Sequence, residues 1–246
     1  AYCRRRIEEV KPSALLGHNG DPMRASSDAM YVSDDPRRMD KQETAVMRDG
    51  GFMLQEGWSN YLMGPDAKAT WTQWRDRNVT AGRAARRVGG DVCVITDIRD
   101  HAPAWRKSLI TALLLAAGNH IAYSREGDRS FLGFASRHCE LIYGDELRWL
   151  SADDAAKLVQ VDAGGRPVWW QDYVRCLPTQ PGKRTYLVHM INPPEGEGIN
   201  DSHESRPLKD LRVSLTPPAG WKPTRAWLVG VERQRPFVEA VVGQPR

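Results

Sequence analysis

The stretch Gly89-Gly90-Asp91-Val92-Cys93-Val94-Ile95-Thr96-Asp97 decides how this chain is read. Two glycines close a preceding amphipathic segment. A short run, Val92 to Thr96, follows and is apolar on both faces, and polar residues then take over at Asp97. A run of that length without polar alternation fits a strand buried on both sides, as in a parallel sheet covered by helices. The glycines come before the strand. They therefore form a helix-end turn and not a phosphate cradle, which needs them after it.

Working outward, the same grammar repeats. Ala14 to Gly17, Gly51 to Gln55 and His120 to Tyr123 are further short apolar runs. Between them, apolar spacings of three and four predict a helix over 70–88. Pro103, suited to a first helical turn, and Gly118, suited to a C-cap, bracket a second helix. One or two short helices, broken at Gly144, are expected within 131–150. Strand and helix alternate, which predicts right-handed βαβ units and an α/β domain.

Past residue 150 the pattern becomes β-rich. Val159 to Val161, Val168 to Arg175, Thr185 to Ile191, Leu211 to Leu215 and Arg225 to Val229 are strand candidates, separated by Gly164-Gly165, Pro181-Gly182, Pro193-Pro194 and Pro217-Pro218. A small all-β sandwich is expected over 153–246, after an α/β portion over 1–152. Pro193 to Pro207 reads as a polar loop.

Composition narrows the class. The 246 residues are 41% apolar with a net charge of only +4, which excludes a disordered chain. No apolar run reaches the ~18 residues of a membrane helix. The 35 basic residues are scattered and face 31 acidic ones, so neither a nucleic-acid partner nor a membrane partner is expected. Cys3, Cys93, Cys139 and Cys176 form no CxxC pair, and no metal site is expected. No GxSxG elbow, no GxGxxG after a strand, no GxxxxGK[ST] loop and no HExxH is present.

In α/β folds, ligands bind where the parallel strands end. All four strand ends here are polar: Gly17-His18-Asn19-Gly20-Asp21, Gln55-Glu56-Gly57-Trp58, Thr96-Asp97-Ile98-Arg99-Asp100 and Tyr123-Ser124-Arg125-Glu126. A shared polar crevice at one rim is expected. Glu56 is the sharpest candidate, because a carboxyl group serves as acid, base or nucleophile once its surroundings shift its pKa. Trp58, two residues on, offers a flat face for a sugar ring. His18, Asn19, Asp97, Arg99, Asp100 and Glu126 are candidate ligand-binding residues. Each also has a bland reading. Glu56 can be a structural carboxylate held by Arg or Lys, Asp97 can pair with Arg99, Asp100 can cap the Pro103 helix, and Asn19-Gly20 can be a simple turn. His120, at the start of its strand, belongs to the other end.

The run Gly51 to Trp58 resembles the sixth barrel strand of retaining glycoside hydrolases with (β/α)8 catalytic domains. Leu109 to His120 resembles the last helix-to-strand passage of such barrels. Tyr173-Val174, Thr185 to Asn192 and Leu208 to Val213 look like the β-sandwich appended to them. Overall the chain is similar to the dextranases and cyclising glucanotransferases of glycoside hydrolase family 66. The resemblance implies the C-terminal part of a (β/α)8 barrel followed by a β-sandwich, and a secreted or extracellular carbohydrate-active enzyme without a cofactor. It implies that Glu56 is the general acid/base. The family's nucleophile, an Asp on the fourth strand, would fall before residue 1, so the chain is expected to be a C-terminal fragment and self-associating on its own. Two rivals stand beside this reading. One is a non-catalytic carbohydrate-binding protein on the same scaffold. The other is an unrelated α/β enzyme with a small polar ligand at the strand ends, which an open sheet would favour.

Overall fold

In a computed structural model of the chain, the described residues are 2–12, 14, 17–19, 50–55, 70–95, 103–123, 129–180, 183–221 and 223–231. They fall into two compact units. The first comprises 1–127 together with 194–205, and the second comprises 128–193 together with 206–246. Position 152/153 lies at the head of a helix in the second unit.

In the first unit, helix α1 (Tyr2–Val10) precedes strand β1 (Gly17–Asn19) and strand β2 (Phe52–Gln55). Helix α2 (Trp71–Arg87), strand β3 (Asp91–Ile95), helix α3 (Ala104–Ala116) and strand β4 (His120–Tyr123) follow. The sheet is parallel throughout, in the order β1-β2-β3-β4. Among the described residues it is open. β1 begins at Gly17, where the apolar run Ala14 to Gly17 ends, so the ladder takes the polar residues that follow. Its backbone pairs Gly17 with Phe52, His18 with Met53 and Asn19 with Leu54. Outermost in the four-stranded order, β1 needs backbone pairing more than an apolar composition.

Helix α2 starts where a capping box can form. The Thr70 hydroxyl accepts from the Gln73 amide, and the Gln73 side chain accepts from the Thr70 amide. Helix α3 is buried through Leu109, Ile110, Thr111 and Leu113 to Ala116. It ends at Gly118, whose φ of 71° is the left-handed conformation that glycine adopts freely. The two helices approach closely. A Cβ on Gly82 of α2 would lie 2.5 Å from the Ala117 carbonyl oxygen and 2.7 Å from Asn119 Oδ1. No side chain fits there. Trp71, Trp74, Val92, Val94, Ile110, Leu113 and Leu114 make the core.

The segment 194–205, expected as a free polar loop, is part of this unit. It closes on itself through reciprocal Glu195–His203 backbone bonds and clasps the start of α2. The Glu197 carbonyl accepts from the Trp71 amide at 2.9 Å, and the Ser202 hydroxyl accepts from the Trp71 indole at 2.8 Å. Ile199 is fully buried beside them in sequence. The first-turn amides of a helix have no internal acceptor, and Glu197 serves two of them, its carbonyl accepting from Trp71 and its carboxylate from the Thr72 amide at 3.3 Å.

The second unit begins with helices α4 (Arg129–Arg137) and α5 (Cys139–Tyr143), the latter stopping at Gly144. Strand β5 (Arg148–Trp149) precedes helix α6 (Ala152–Leu158), which lies within the stretch expected to be all β. Ser151 explains that helix: its hydroxyl accepts from the Asp154 amide, and Asp153 and Asp154 fill the first turn. Strand β6 (Val159–Asp162) follows directly. A 3-10 turn at Gln171–Tyr173 replaces the first half of the strand expected over 168–175. Strands β7 (Val174–Gln180), β8 (Lys183–Val188) and β9 (Arg212–Leu215) complete the described elements. They form two small antiparallel sheets, β5-β7-β8 and β6-β9. Ala155, Leu158, Val159 and Val174 centre the core, with Leu150, Val161, Trp170, Tyr186 and Val188 around them. A helix thus sits in the core with strands of both sheets. Arg225 to Val229 does not form a strand of its own.

Candidate functional site

The register of the parallel sheet sets its rim. Gln55 pairs with Val94, and Ile95 pairs with Tyr123, so the carboxyl ends of β2, β3 and β4 lie at one edge. Asn19 pairs with Leu54 and brings the end of β1 to the same edge. Glu56 and Trp58, Asp97, Arg99 and Asp100, and Glu126 are the residues that follow these ends in sequence, and all of them lie outside the described residues. His18 and Asn19 are within β1 and not in a loop after it. The N-cap of α3 is Pro103, with extended backbone and no side-chain hydrogen bond, so the capping reading of Asp100 fails.

The opposite edge carries a charged cluster. Asp91, first in β3, has Oδ1 3.0 Å from the Arg86 guanidinium and 3.3 Å from His120 Nε2. Burial pushes the Asp91 carboxyl up, but the hydrogen bond from His120 and the Arg86 charge outweigh it and hold the group below the usual carboxylate range. Cys93, two residues on, is pushed up by its own burial and by the Asp91 charge. It is therefore a poor nucleophile. The cluster ties the last turn of α2 to the starts of β3 and β4. At the amino end of a parallel sheet, such ties serve stability. That is the place the sequence indicated for His120.

The second unit holds a different group of polar side chains. Arg175, 1% exposed, donates to the Ile142 carbonyl at 2.6 Å and lies 4.2 Å from the centroid of the Trp149 ring. The ladder pairs Arg175 with Trp149 on one side and with Leu187 on the other. Period-two alternation then puts Tyr173, Arg175, Trp149, Leu187 and His189 on one face of the sheet, and Val174, Tyr186 and Val188 on the other. His189 keeps some surface, yet its Nε2 is sealed from solvent with no hydrogen-bond partner among the described residues. Its own burial, and next the Arg175 charge, push the imidazole down to about 3. Neither residue was singled out from the sequence. The available signal was a charge within an otherwise apolar run, Val174-Arg175-Cys176, at an inward-facing position.

No group of three or more His, Cys, Asp or Glu side chains among the described residues is arranged to hold a metal ion. No described helix is long and apolar enough to cross a membrane. Cys93, Cys139 and Cys176 are free thiols. No family model, no curated protein and no solved structure matches this chain.

Proposed function

We propose that this chain forms part of a carbohydrate-active enzyme, a retaining glycoside hydrolase or transglycosidase acting on an oligo- or polysaccharide. The supporting observation is the strand order. Four consecutive parallel strands lie side by side as β1-β2-β3-β4, without the reversal that marks a doubly wound sheet. Sequential winding of this kind is how a segment of a (β/α)8 barrel is built. Each strand hands over, at the same edge, to a stretch rich in Asp, Glu, Arg and His.

In this reading Glu56 protonates the leaving oxygen and then deprotonates the incoming water or sugar. A second carboxylate about 5–5.5 Å away, which no residue of this sequence is assigned to supply, attacks the anomeric carbon. Trp58 stacks on a sugar ring, and His18, Asn19, Asp97, Arg99, Asp100 and Glu126 bind hydroxyls. No cofactor takes part. The test is Glu56→Gln in the full-length gene product. Turnover of a natural glycan is expected to fall roughly 10²–10⁴-fold, and turnover of an aryl glycoside with an activated leaving group much less. Equal activity of variant and parent on both substrates removes Glu56 from the chemistry.

A second reading, an unrelated α/β enzyme with a small polar ligand at the same rim, has the open described sheet on its side. Chemical-shift mapping with isomaltooligosaccharides separates the two. Glycan-dependent shifts confined to the residues after β2 and β3 favour the first reading, and their absence favours the second.

A further inference from the structure

The clasp at 194–205 is an excursion whose ends are held in a different unit from its tip. Residues 194–205 belong to the first unit, while 193 before them and 206 after them belong to the second. Bonds within the second unit fix the base. Ile191 and Trp169 exchange backbone hydrogen bonds at 3.0 and 2.9 Å. The Asn192 side-chain amide donates to the Arg206 carbonyl at 2.8 Å. The Arg166 guanidinium donates to the Arg206 and Pro207 carbonyls, both at 3.0 Å. Further along the stems, the reciprocal Glu195–His203 backbone bonds close the excursion in the antiparallel register that Asn192 and Arg206 begin. The tip then meets α2 through the Glu197 carbonyl and carboxylate, a bridge between Gly198 and Thr70, and the Ser202 hydroxyl.

Both stems are stiff. Pro193 and Pro194 on one side and Pro207 on the other have a fixed φ. A residue that precedes proline is held to extended backbone, which restricts Asn192, Pro193 and Arg206 as well. Stiff stems that start from a fixed base leave the tip few positions to visit. The chain entropy that docking on α2 would otherwise cost is therefore already lost when the second unit folds. We propose that the clasp is a coupling strap, through which folding of the second unit stabilises the head of α2 in the first and undocking of the tip loosens the base in return. The strap is an element with two states, docked and undocked, biased from both of its ends. Its reach is local. It acts on Thr70 to Thr72 and on Ile191 and Asn192, and it leaves the core of each unit to its own packing.

Residue-resolved amide exchange of the full chain tests the coupling. The double variant Arg166→Ala/Asn192→Ala cuts the base bonds and changes no residue of the first unit. The Trp71 and Thr72 amides should then exchange at least about fivefold faster, the worth of one hydrogen bond, while the Val94 and Cys176 amides keep the parent's rate. Unchanged exchange at Trp71 and Thr72 overturns the proposal. Equal acceleration at all four amides is a general loss of stability and overturns it too. In the reverse direction, Ile199→Asp puts a charge at a fully buried position of the tip and undocks it. The Ile191 amide, in the second unit, should exchange faster by a similar factor, because a coupling free energy is reciprocal. An Ile191 amide that keeps the parent's rate while Trp71 and Thr72 lose protection also overturns the proposal.

Discussion

The two units bury polar groups in opposite ways. Among the described residues of the first unit, the buried polar side chains are neutral, and they meet neutral partners. Asn78 donates to the Trp74 carbonyl, Asn119 donates to Asn78, Thr111 donates to the Lys107 carbonyl, and the Trp71 indole donates to Ser202. In the second unit a guanidinium lies buried on one face of a three-stranded sheet, and an imidazole with a sealed Nε2 lies on the same face. A neutral pair costs little to bury and is indifferent to pH. A buried cation needs oriented carbonyls and ring faces, and it disfavours a second positive charge nearby. The first unit is therefore expected to owe its stability to packing and the second to depend on acidity as well.

The largest effect should come from Trp71, which is fully buried and lies 6.4 Å from the Trp74 ring centroid and 6.3 Å from that of Trp105. Trp71→Ala should cost about 3–5 kcal/mol, read as a shift of the denaturant midpoint. It also frees the clasp, so amides of 194–205 should lose exchange protection. A small shift would mean that packing is not what holds the first unit.

Arg175→Ala removes a charged hydrogen bond to Ile142 and the stacking on Trp149. Roughly 3 kcal/mol should be lost. If Arg175→Met is instead more stable than the parent, the buried cation is a burden on the second unit and the contrast between the units sharpens.

Acid comes next. The ordinary histidine value is 6.5, and His189 in the fold is near 3. Between these values the unfolded chain takes up a proton that the folded chain refuses. Stability is full above pH 6.5 and falls as pH drops through the window, by about 2 kcal/mol at pH 5. His138, pushed down by burial and by Arg137, adds in the same direction and also belongs to the second unit. Urea midpoints at pH 7.5 and pH 5 measure the slope, and His189→Gln should flatten most of it. The Asp91 carboxyl, held low in the first unit, loses its contribution only as pH falls through the carboxylate range, below the histidine window. An equal slope in both units between pH 7.5 and pH 5 would erase the distinction.

The smallest expected effect is Ser202→Ala. It leaves the Trp71 indole N–H without its acceptor, for roughly 1 kcal/mol. The loss should shrink in a Trp71→Phe background, which has no N–H to leave unmet, to what the Ser202 hydroxyl's bond to the Ile199 carbonyl at 3.2 Å contributes.

The sequence made the strands of the parallel sheet legible where the apolar run is unbroken. Val92 to Thr96 and His120 to Tyr123 match β3 and β4 to within one residue, because an apolar run between helices has few other uses. β1 slipped past its apolar run because an edge ladder is satisfied by backbone. Helix α6 escaped notice because its signal is a Ser151 cap over about two turns, too short for periodicity to register. The clasp at 194–205 could not be read at all. Its partners are the Trp71 amide and indole, 131 residues away from Ser202, and composition alone makes the segment look like any polar loop. The candidate rim was legible only as a list of residue types at strand ends. The register aligns those ends, while Glu56, Trp58, Asp97, Arg99, Asp100 and Glu126 lie outside the described residues.

That separation of 131 residues has a consequence for biosynthesis. A ribosome adding ~5–20 residues per second delivers Ser202 some ~7–26 s after Trp71. Throughout that interval the nascent first unit can form its helices but cannot satisfy the indole, and the aromatic cluster at the head of α2 stays open to chaperones and to neighbouring chains. Completion of the N-terminal unit is thereby made to wait for translation of most of the C-terminal one. A stalled chain ending near residue 190 should remain bound by holdase chaperones, and one reaching residue 210 should be released.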